Sequence, residues 1–423
     1  MTFFERSVFH QLHSSKRNVK MMYNVKCLIL LCLPLSLSSA YGIPPLQAFL
    51  NTGSIATLNT NISAELFNDL EELSRIVDIS YCVGVTGMGI QKPFLCASRC
   101  QDFDSFELVT TWNTGPFMSD SCGYVVLSHP PAPPRIIIAF RGTYSVANTI
   151  IDLSTVPQEY IPYPGDGDED EAEDNQGMRK RAISPEKAEC TNCTVHAGFM
   201  QSWRHTRPYI LPHLKELVRQ YPDYQMTLVG HSLGGAVAAL ASLDFEAPGW
   251  KTQVTTFGEP RIGNQGLMQY IDAAFSNSSS SNITGRYRRV THVDDPVPLL
   301  PLTEWGYQMH AGEVYISKPD LSPEVKDLRY CEGDQDPNCI AGAETQQERP
   351  HVPNIEQGAD IEAFKDWWND TKGLLTVSAR FRIWQLFFAH RDYFWRLGLC
   401  LPGGDPKDWY RRYPHDDEGE VEL

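Results

Sequence analysis

Beyond residue 35 the chain has no long apolar run, and positive charge is scarce. Its 36 lysines and arginines face 52 aspartates and glutamates, for a formal net charge of −16. The first shortage excludes a second membrane span after the N-terminal segment. The second argues against nucleic acid as a partner and against adsorption to anionic membranes through a basic patch. A repeated CxxC motif is also missing, because Cys190-Thr191-Asn192-Cys193 stands alone. Without a matching pair, zinc binding and redox chemistry are weaker readings of that motif than a structural disulfide. No metal and no organic cofactor are expected.

What is present begins with an export signal. Lys16, Arg17, Lys20 and Lys26 precede the apolar run Cys27–Leu35, and the small residues Ser38-Ser39-Ala40 follow. That order fits a cleavable signal peptide over residues 1–40, and the run is too short to serve well as a membrane anchor. The remaining 41–423 are expected to form one secreted, monomeric domain with no stable membrane insertion after cleavage. Of eleven cysteines, Cys27 and Cys32 leave with the signal. Nine stay behind in an oxidising compartment, so disulfides are expected and one thiol is left over. Close spacings such as Cys96–Cys100 and Cys331–Cys339 invite pairing, but sequence alone leaves the connectivity open. Sequons at Asn61, Asn192, Asn277, Asn282 and Asn369 fit a glycosylated secreted protein.

Apolar periodicity predicts a helix over 61–80 and an amphipathic helix over 200–220, ended by Tyr221-Pro222-Asp223. Arg135–Phe140 and Gln225–Val229 are apolar on both faces and are predicted as buried strands. Ala236–Leu243 is a helix of small residues, and Thr252–Phe257 and Tyr287–His292 are further strands. Strands alternating with helices predict an α/β fold with a largely parallel central sheet flanked by helices. Two insertions interrupt this pattern. One, at about 165–189, holds seven acidic residues within Asp166–Asp174 and then Arg179-Lys180-Arg181. It is expected to be a solvated loop open to a processing protease. The other, at about 340–375, carries Phe364, Trp367 and Trp368 at helical spacing and is expected to be surface elaboration.

The chemistry centres on Gly230-His231-Ser232-Leu233-Gly234-Gly235, which lies between a predicted buried strand and an alanine-rich helix. A GxSxG pentapeptide alone is weak evidence. In strand–turn–helix context it is a nucleophile elbow, with its glycines allowing close passage and Ser232 Oγ exposed. His231, inside the motif, is expected to pack rather than to catalyse. A serine hydroxyl needs a base and the base needs a carboxylate, in the chain order Ser, Asp or Glu, His for this fold. Asp294 and Asp295 follow a predicted strand and are both candidates. Of the downstream histidines, His310 borders the strand-like Glu313–Ile316, His351 lies in the polar insertion and His415 in the charged tail. His390, between Leu386-Phe387-Phe388-Ala389 and Tyr393-Phe394, is favoured because apolar flanks can pin its ring.

Together these residues resemble a known family. Phe140-Arg141-Gly142-Thr143, His196-Ala197-Gly198-Phe199, the GHSLGG elbow, Asp295-Pro296-Val297-Pro298 and His390-x-x-Tyr393-Phe394 occur in the order seen in fungal class 3 lipases. Tyr81-Cys82-Val83-Gly84, Lys92-Pro93-Phe94, Gly306-Tyr307-Gln308 and Gly312-Glu313-Val314 are similar to the secreted yeast triacylglycerol lipases within it. The resemblance covers roughly 65–160, 188–340 and 380–400. It implies an α/β-hydrolase with a triad of Ser232, Asp295 and His390, selecting Asp295 over Asp294. It implies an oxyanion hole of Thr143 and the Leu233 amide, whose donors typically supply ~3 kcal/mol each. It implies the disulfides Cys82–Cys400, Cys96–Cys100, Cys190–Cys193 and Cys331–Cys339, with Cys122 as the odd thiol. It also implies a short helical lid after Thr143, with Val146, Ile150 and Ile151 near one face. That apolar face is equally what any packed helix shows.

The function expected is hydrolysis of long-chain fatty-acid esters at an oil–water interface, as a triacylglycerol lipase. A feruloyl or other carboxylesterase of the same family is the alternative. A catalytically silent binding protein on this fold would show a broken triad, and an acyltransferase would differ only in the alcohol that receives the acyl group.

Overall fold

The computed structural model describes residues 60–84, 89–115, 120–143, 157–163, 190–276, 285–333, 335–345 and 389–401. The expected signal segment, the expected lid residues Val146, Ile150 and Ile151, the expected processing site Arg179-Lys180-Arg181 and Phe364, Trp367 and Trp368 lie outside them. So do Asn277, Asn282, Asn369, His351 and His415. Asn61 and Asn192 are described and exposed.

The main sheet has eight strands among the described residues. They are β1 (Phe106–Asn113), β2 (Cys122–Ser128), β3 (Arg135–Phe140), β6 (Gln225–His231), β7 (Thr252–Phe257), β8 (Tyr287–His292), β9 (Glu313–Ile316) and β10 (Leu328–Tyr330), side by side in that order. β4 (Pro157–Glu159) and β5 (Thr194–His196) form a separate antiparallel ribbon. β3, β6, β7, β8 and β9 run parallel. β1–β2–β3 is an antiparallel meander at one edge, and β10 turns back on β9 at the other. The parallel strands are legible in the sequence, but β1, β2 and β10 are not. Antiparallel neighbours need only a short turn, so they leave no intervening helix to announce them.

Alternation along the strands builds two cores. In β3, Ile136, Ile138 and Phe140 face the layer holding Phe199, Trp203 and Leu240, whereas Ile137 and Ala139 face Leu70, Leu73 and Tyr393. Burying each large apolar side chain contributes about 1.5–3 kcal/mol. Helix α1 (Ala64–Ile79) covers the second face. Ser63 caps it by accepting from the Leu66 amide at 3.2 Å, and Leu70, Leu73, Ile76 and Val77 are buried. On the first face, α2 (Ala197–Gln220) leads into β6, α3 (Leu233–Glu246) joins β6 to β7, and α4 (Gln265–Phe275) joins β7 to β8. Helix α3 is buried from Leu233 to Phe245. A helix buried all round needs small side chains on the sheet side, and the run Ala236–Ala241 supplies them.

Among the described residues there are four disulfides: Cys82–Cys400, Cys96–Cys100, Cys190–Cys193 and Cys331–Cys339. Cys122 is a free, buried thiol. Its Sγ donates to Asn113 Oδ1 at 3.0 Å, and burial raises its pKa.

Candidate active site

The C-terminal ends of adjacent parallel strands collect the site, as open α/β sheets do. Thr143 follows β3, Ser232 follows β6, Gly258 follows β7 and Asp295 follows β8. Ser232 is the corner between β6 and α3, with φ 56° and ψ −129°. A non-glycine residue in that region is strained, at a cost of order 1–3 kcal/mol. The corner is held by the Ser232 amide donating to Phe257 O at 2.9 Å and the Gly235 amide donating to Ser232 O at 2.8 Å. Glycine is required on either side. A Cβ at Gly230 would meet Gly234 O at 2.3 Å, and one at Gly234 would meet Phe140 O at 2.3 Å. The Leu233 amide opens α3 and has no preceding carbonyl within the helix to bond.

The loop after β3 lies against this corner. A Cβ on Gly142 would stand 2.9 Å from Ser232 Cβ, 2.8 Å from His231 O and 2.5 Å from Tyr81 Oη. Thr143, the next residue, is half-buried beside it. The loop is tied down from Arg141, whose amide donates to Cys122 O at 2.8 Å and whose guanidinium donates to Val83 O at 2.9 Å.

His390 comes from a distant part of the chain. Its Nδ1 lies 3.0 Å from both Oδ1 and Oδ2 of Asp295. Asp295 Oδ1 also accepts from the Val297 amide at 2.9 Å, and Oδ2 from the Tyr393 hydroxyl at 2.5 Å. Burial by itself would raise the Asp295 carboxyl, but the His390 charge and these hydrogen bonds outweigh it and hold the pKa below the usual range. With Nδ1–H donated to the carboxylate, a neutral His390 presents its Nε2 lone pair. Neither His390 Nε2 nor Ser232 Oγ has a hydrogen-bond partner among the described residues, although both are buried. Gly258, at φ 61°, lets the histidine in: a Cβ there would meet Tyr393 Oη at 2.6 Å, His390 Cε1 at 2.9 Å and Asp295 Oδ2 at 3.0 Å.

The structure therefore brings Ser232, His390, Asp295, Thr143 and Leu233 to one end of the sheet. Asp294 is excluded from the cluster, being exposed in a left-handed turn at φ 69°. His310 is engaged elsewhere, with Nδ1–H donating to Ala311 O at 2.9 Å and Nε2 3.0 Å from Glu259 Oε1. Tyr393, Tyr81 and Gly258 carry no role that is legible in the sequence, and His231 is expected from it only to pack. The HxxYF spacing could have pointed to Tyr393. Nothing local links Tyr81 to the site.

A serine on a strand–turn–helix elbow, with a histidine–carboxylate pair brought in at the strand ends, defines a serine hydrolase of the α/β-hydrolase fold. The sequence profile of the family described as lipase (class 3) matches residues 137–305. The "Secreted mono- and diacylglycerol lipase 2" of Gibberella zeae is 52% identical over 369 residues, 83% of this chain and 86% of that protein. Lipase A of Sodiomyces alcalophilus is 50% identical with the same coverage. The crystal structure of Lip2 lipase from Yarrowia lipolytica matches with a TM-score of 0.60 and 28% identity, over 81% of this chain and 97% of that one. The chain belongs to the class 3 lipase family, and it is a serine hydrolase of carboxylic esters. Among the described residues no helix is long and apolar enough to cross a membrane.

Proposed function

We propose that Ser232, His390 and Asp295 are the catalytic triad of a secreted, monomeric lipase acting on long-chain acylglycerols. The observation that carries this reading is the His390 imidazole, bound at Nδ1 by both oxygens of a buried carboxylate while Nε2 and Ser232 Oγ are left without partners. In the reaction His390 Nε2 takes the Ser232 proton as Oγ attacks the ester carbonyl. Asp295 holds the tautomer and stabilises the imidazolium. The oxyanion is received by the Leu233 amide at the start of α3 and by the amide and hydroxyl of Thr143. The imidazolium returns its proton to the leaving alcohol, and water activated by His390 releases the fatty acid. Residues 1–40 act as a removable export signal, in keeping with the relatives' names. A lid carrying Val146, Ile150 and Ile151, which lie outside the described residues, is implied by the family resemblance.

Triacylglycerol is the substrate implied by the sequence motifs. The name of the Gibberella zeae relative favours a second reading, in which partial glycerides are the preferred substrates. Initial rates on emulsified tri-, di- and monoacylglycerols of one acyl chain, with tributyrin followed across its solubility limit and methyl ferulate as control, test both. A triacylglycerol rate at or above the others, with a jump at the solubility limit, supports the first. Activity confined to di- and monoacylglycerols supports the second. High activity on methyl ferulate with no interfacial jump rejects both.

A further inference from the structure

His231 and Tyr81 are not needed by the mechanism above, yet they lie between its parts. Tyr81 Oη is 2.6 Å from His231 Nδ1, and His231 Nε2 is 2.7 Å from the backbone carbonyl oxygen of His390. All three residues are buried. A carbonyl oxygen can only accept, so His231 Nε2 carries the proton, Nδ1 is the bare nitrogen, and the Tyr81 hydroxyl donates to it. Burial, with the His390 charge next in weight, lowers the His231 pKa to about 3, which keeps the ring in this neutral form at any working pH. The rings of His231 and His390 lie 4.7 Å apart at 31°.

The placement of this chain of bonds is informative. His231 is the last residue of β6, and Ser232 follows it directly. One rigid strand end therefore carries the attacking hydroxyl and the ring that grips the backbone of the base. Tyr81 lies in the 3₁₀ turn Ser80–Cys82, tied to the segment of His390 by the Cys82–Cys400 bridge. That segment, 389–401, has no helix or strand of its own. Its side chains are held at His390 Nδ1 by Asp295 and at the Tyr393 hydroxyl by the same carboxylate, while its backbone is tied further along, where the Gly398 amide donates to Asp78 Oδ1 at 2.9 Å. The bond from His231 meets the backbone at the base itself.

We infer that Tyr81 and His231 are positioning residues for ester hydrolysis, holding the His390 carbonyl so that His390 Nε2 stays in register with Ser232 Oγ. The inference rests on His390 being the base. Tyr81 sets the His231 tautomer, and His231 transmits it to the His390 backbone. Neither touches substrate.

The test uses the secreted protein, a soluble short-chain ester, and the variants H231N, H231Q, Y81F and Y81F/H231N, with H390A as reference. Asn presents no donor at the Nε2 position, whereas the longer Gln amide reaches it. H231N is expected to lower kcat roughly 10- to 100-fold with KM within about twofold, the size of effect that small misplacements of reacting groups produce. H231Q is expected to recover most of that loss. Y81F is expected to lower kcat by less, and the double variant to be no worse than H231N alone, because Tyr81 acts only through His231. Wild-type kcat in H231N, a Gln variant as poor as the Asn variant, or losses that multiply in the double variant would each overturn the inference. If H231N does not fold, Y81F against H231Q decides by the same split: a drop in kcat at constant KM in Y81F supports it, and a change in KM alone overturns it. An active H390A would instead overturn the assignment of the base.

Discussion

Asp294 and Asp295 are the same residue type one position apart, and they behave as different chemical groups. Asp295 is buried, collects Val297 N–H, Tyr393 O–H and His390 Nδ1–H, and is held ionised. Asp294 turns outward at positive φ, a conformation Asp and Asn tolerate. Asp295→Asn is expected to cost roughly three to four orders of magnitude in kcat, since an amide can donate to His390 and select the wrong tautomer. Asp294→Asn should stay close to wild type. Ser232→Ala and His390→Ala are expected to abolish turnover to a similar or greater degree with the melting temperature nearly unchanged. Rates and thermal melts on the four proteins check this, and an Asp294 variant more damaged than the Asp295 variant at equal stability would reverse the assignment.

At the scale of elements, the segment 389–401 is the one that depends on others for its shape. Trp395 Nε1 donates to Glu71 Oε1 of α1, the Arg99 guanidinium stacks 4.2 Å over the Trp395 ring, and Asp392 and Arg396 pair at 2.6 Å. The Cys82–Cys400 bridge joins it to the end of α1 across 318 residues of sequence. Bridges that close long loops restrict the unfolded chain most, and losing such a native bridge typically costs about 2–5 kcal/mol. Cys96–Cys100 and Cys190–Cys193 span only 4 and 3 residues, so their removal should cost less. Replacing Cys82 and Cys400 together by serine is expected to free the histidine-bearing segment before the sheet unfolds. In urea, esterase activity should then be lost at a lower concentration than tryptophan fluorescence changes. Coincident transitions at the wild-type midpoint would show that packing alone holds the segment.

For the molecule as a whole, buried titrating groups set how stability follows pH. His231 is driven from 6.5 to about 3, so the unfolded chain takes up a proton that the native chain refuses. Its contribution is complete above pH 6.5 and is lost as pH falls, on the order of 5 kcal/mol by pH 3. Asp295, held low, adds a loss of the same sign below its ordinary range. Asp78 opposes them. Burial raises it from 3.8 to about 6 against the pull of Arg99, so its contribution is present at low pH and lost as pH rises through 6. Urea midpoints measured from pH 4 to 7 should therefore rise less steeply with pH in His231→Gln than in wild type, and more steeply in Asp78→Asn. Parallel curves for all three proteins would remove both groups from the account.

Much of this protein is written locally. The periods of β3, β6, β7 and β8, the small residues of α3 and the glycines around Ser232 are near-neighbour properties, because a strand must alternate and a tight elbow admits no Cβ. Those features made the fold class and the Ser232 elbow legible in the chain itself. The meander β1–β2 was not legible, since its pairing depends on register with β3 and not on its own pattern. The partners of Ser232 were legible only as candidates: two adjacent aspartates and several histidines satisfied chain order equally, and family resemblance had to choose between the aspartates. Tertiary structure decides there, through distance and burial. It buries Asp295 under Tyr393 and leaves Asp294 in water, it gives His310 to Glu259, and it sets Tyr81 against His231 across 150 residues of sequence. Sequence carries what a residue can do within a few neighbours. Hydrogen bonds in a water-poor interior are assigned only when the sheet has closed and each polar group has one partner left within reach.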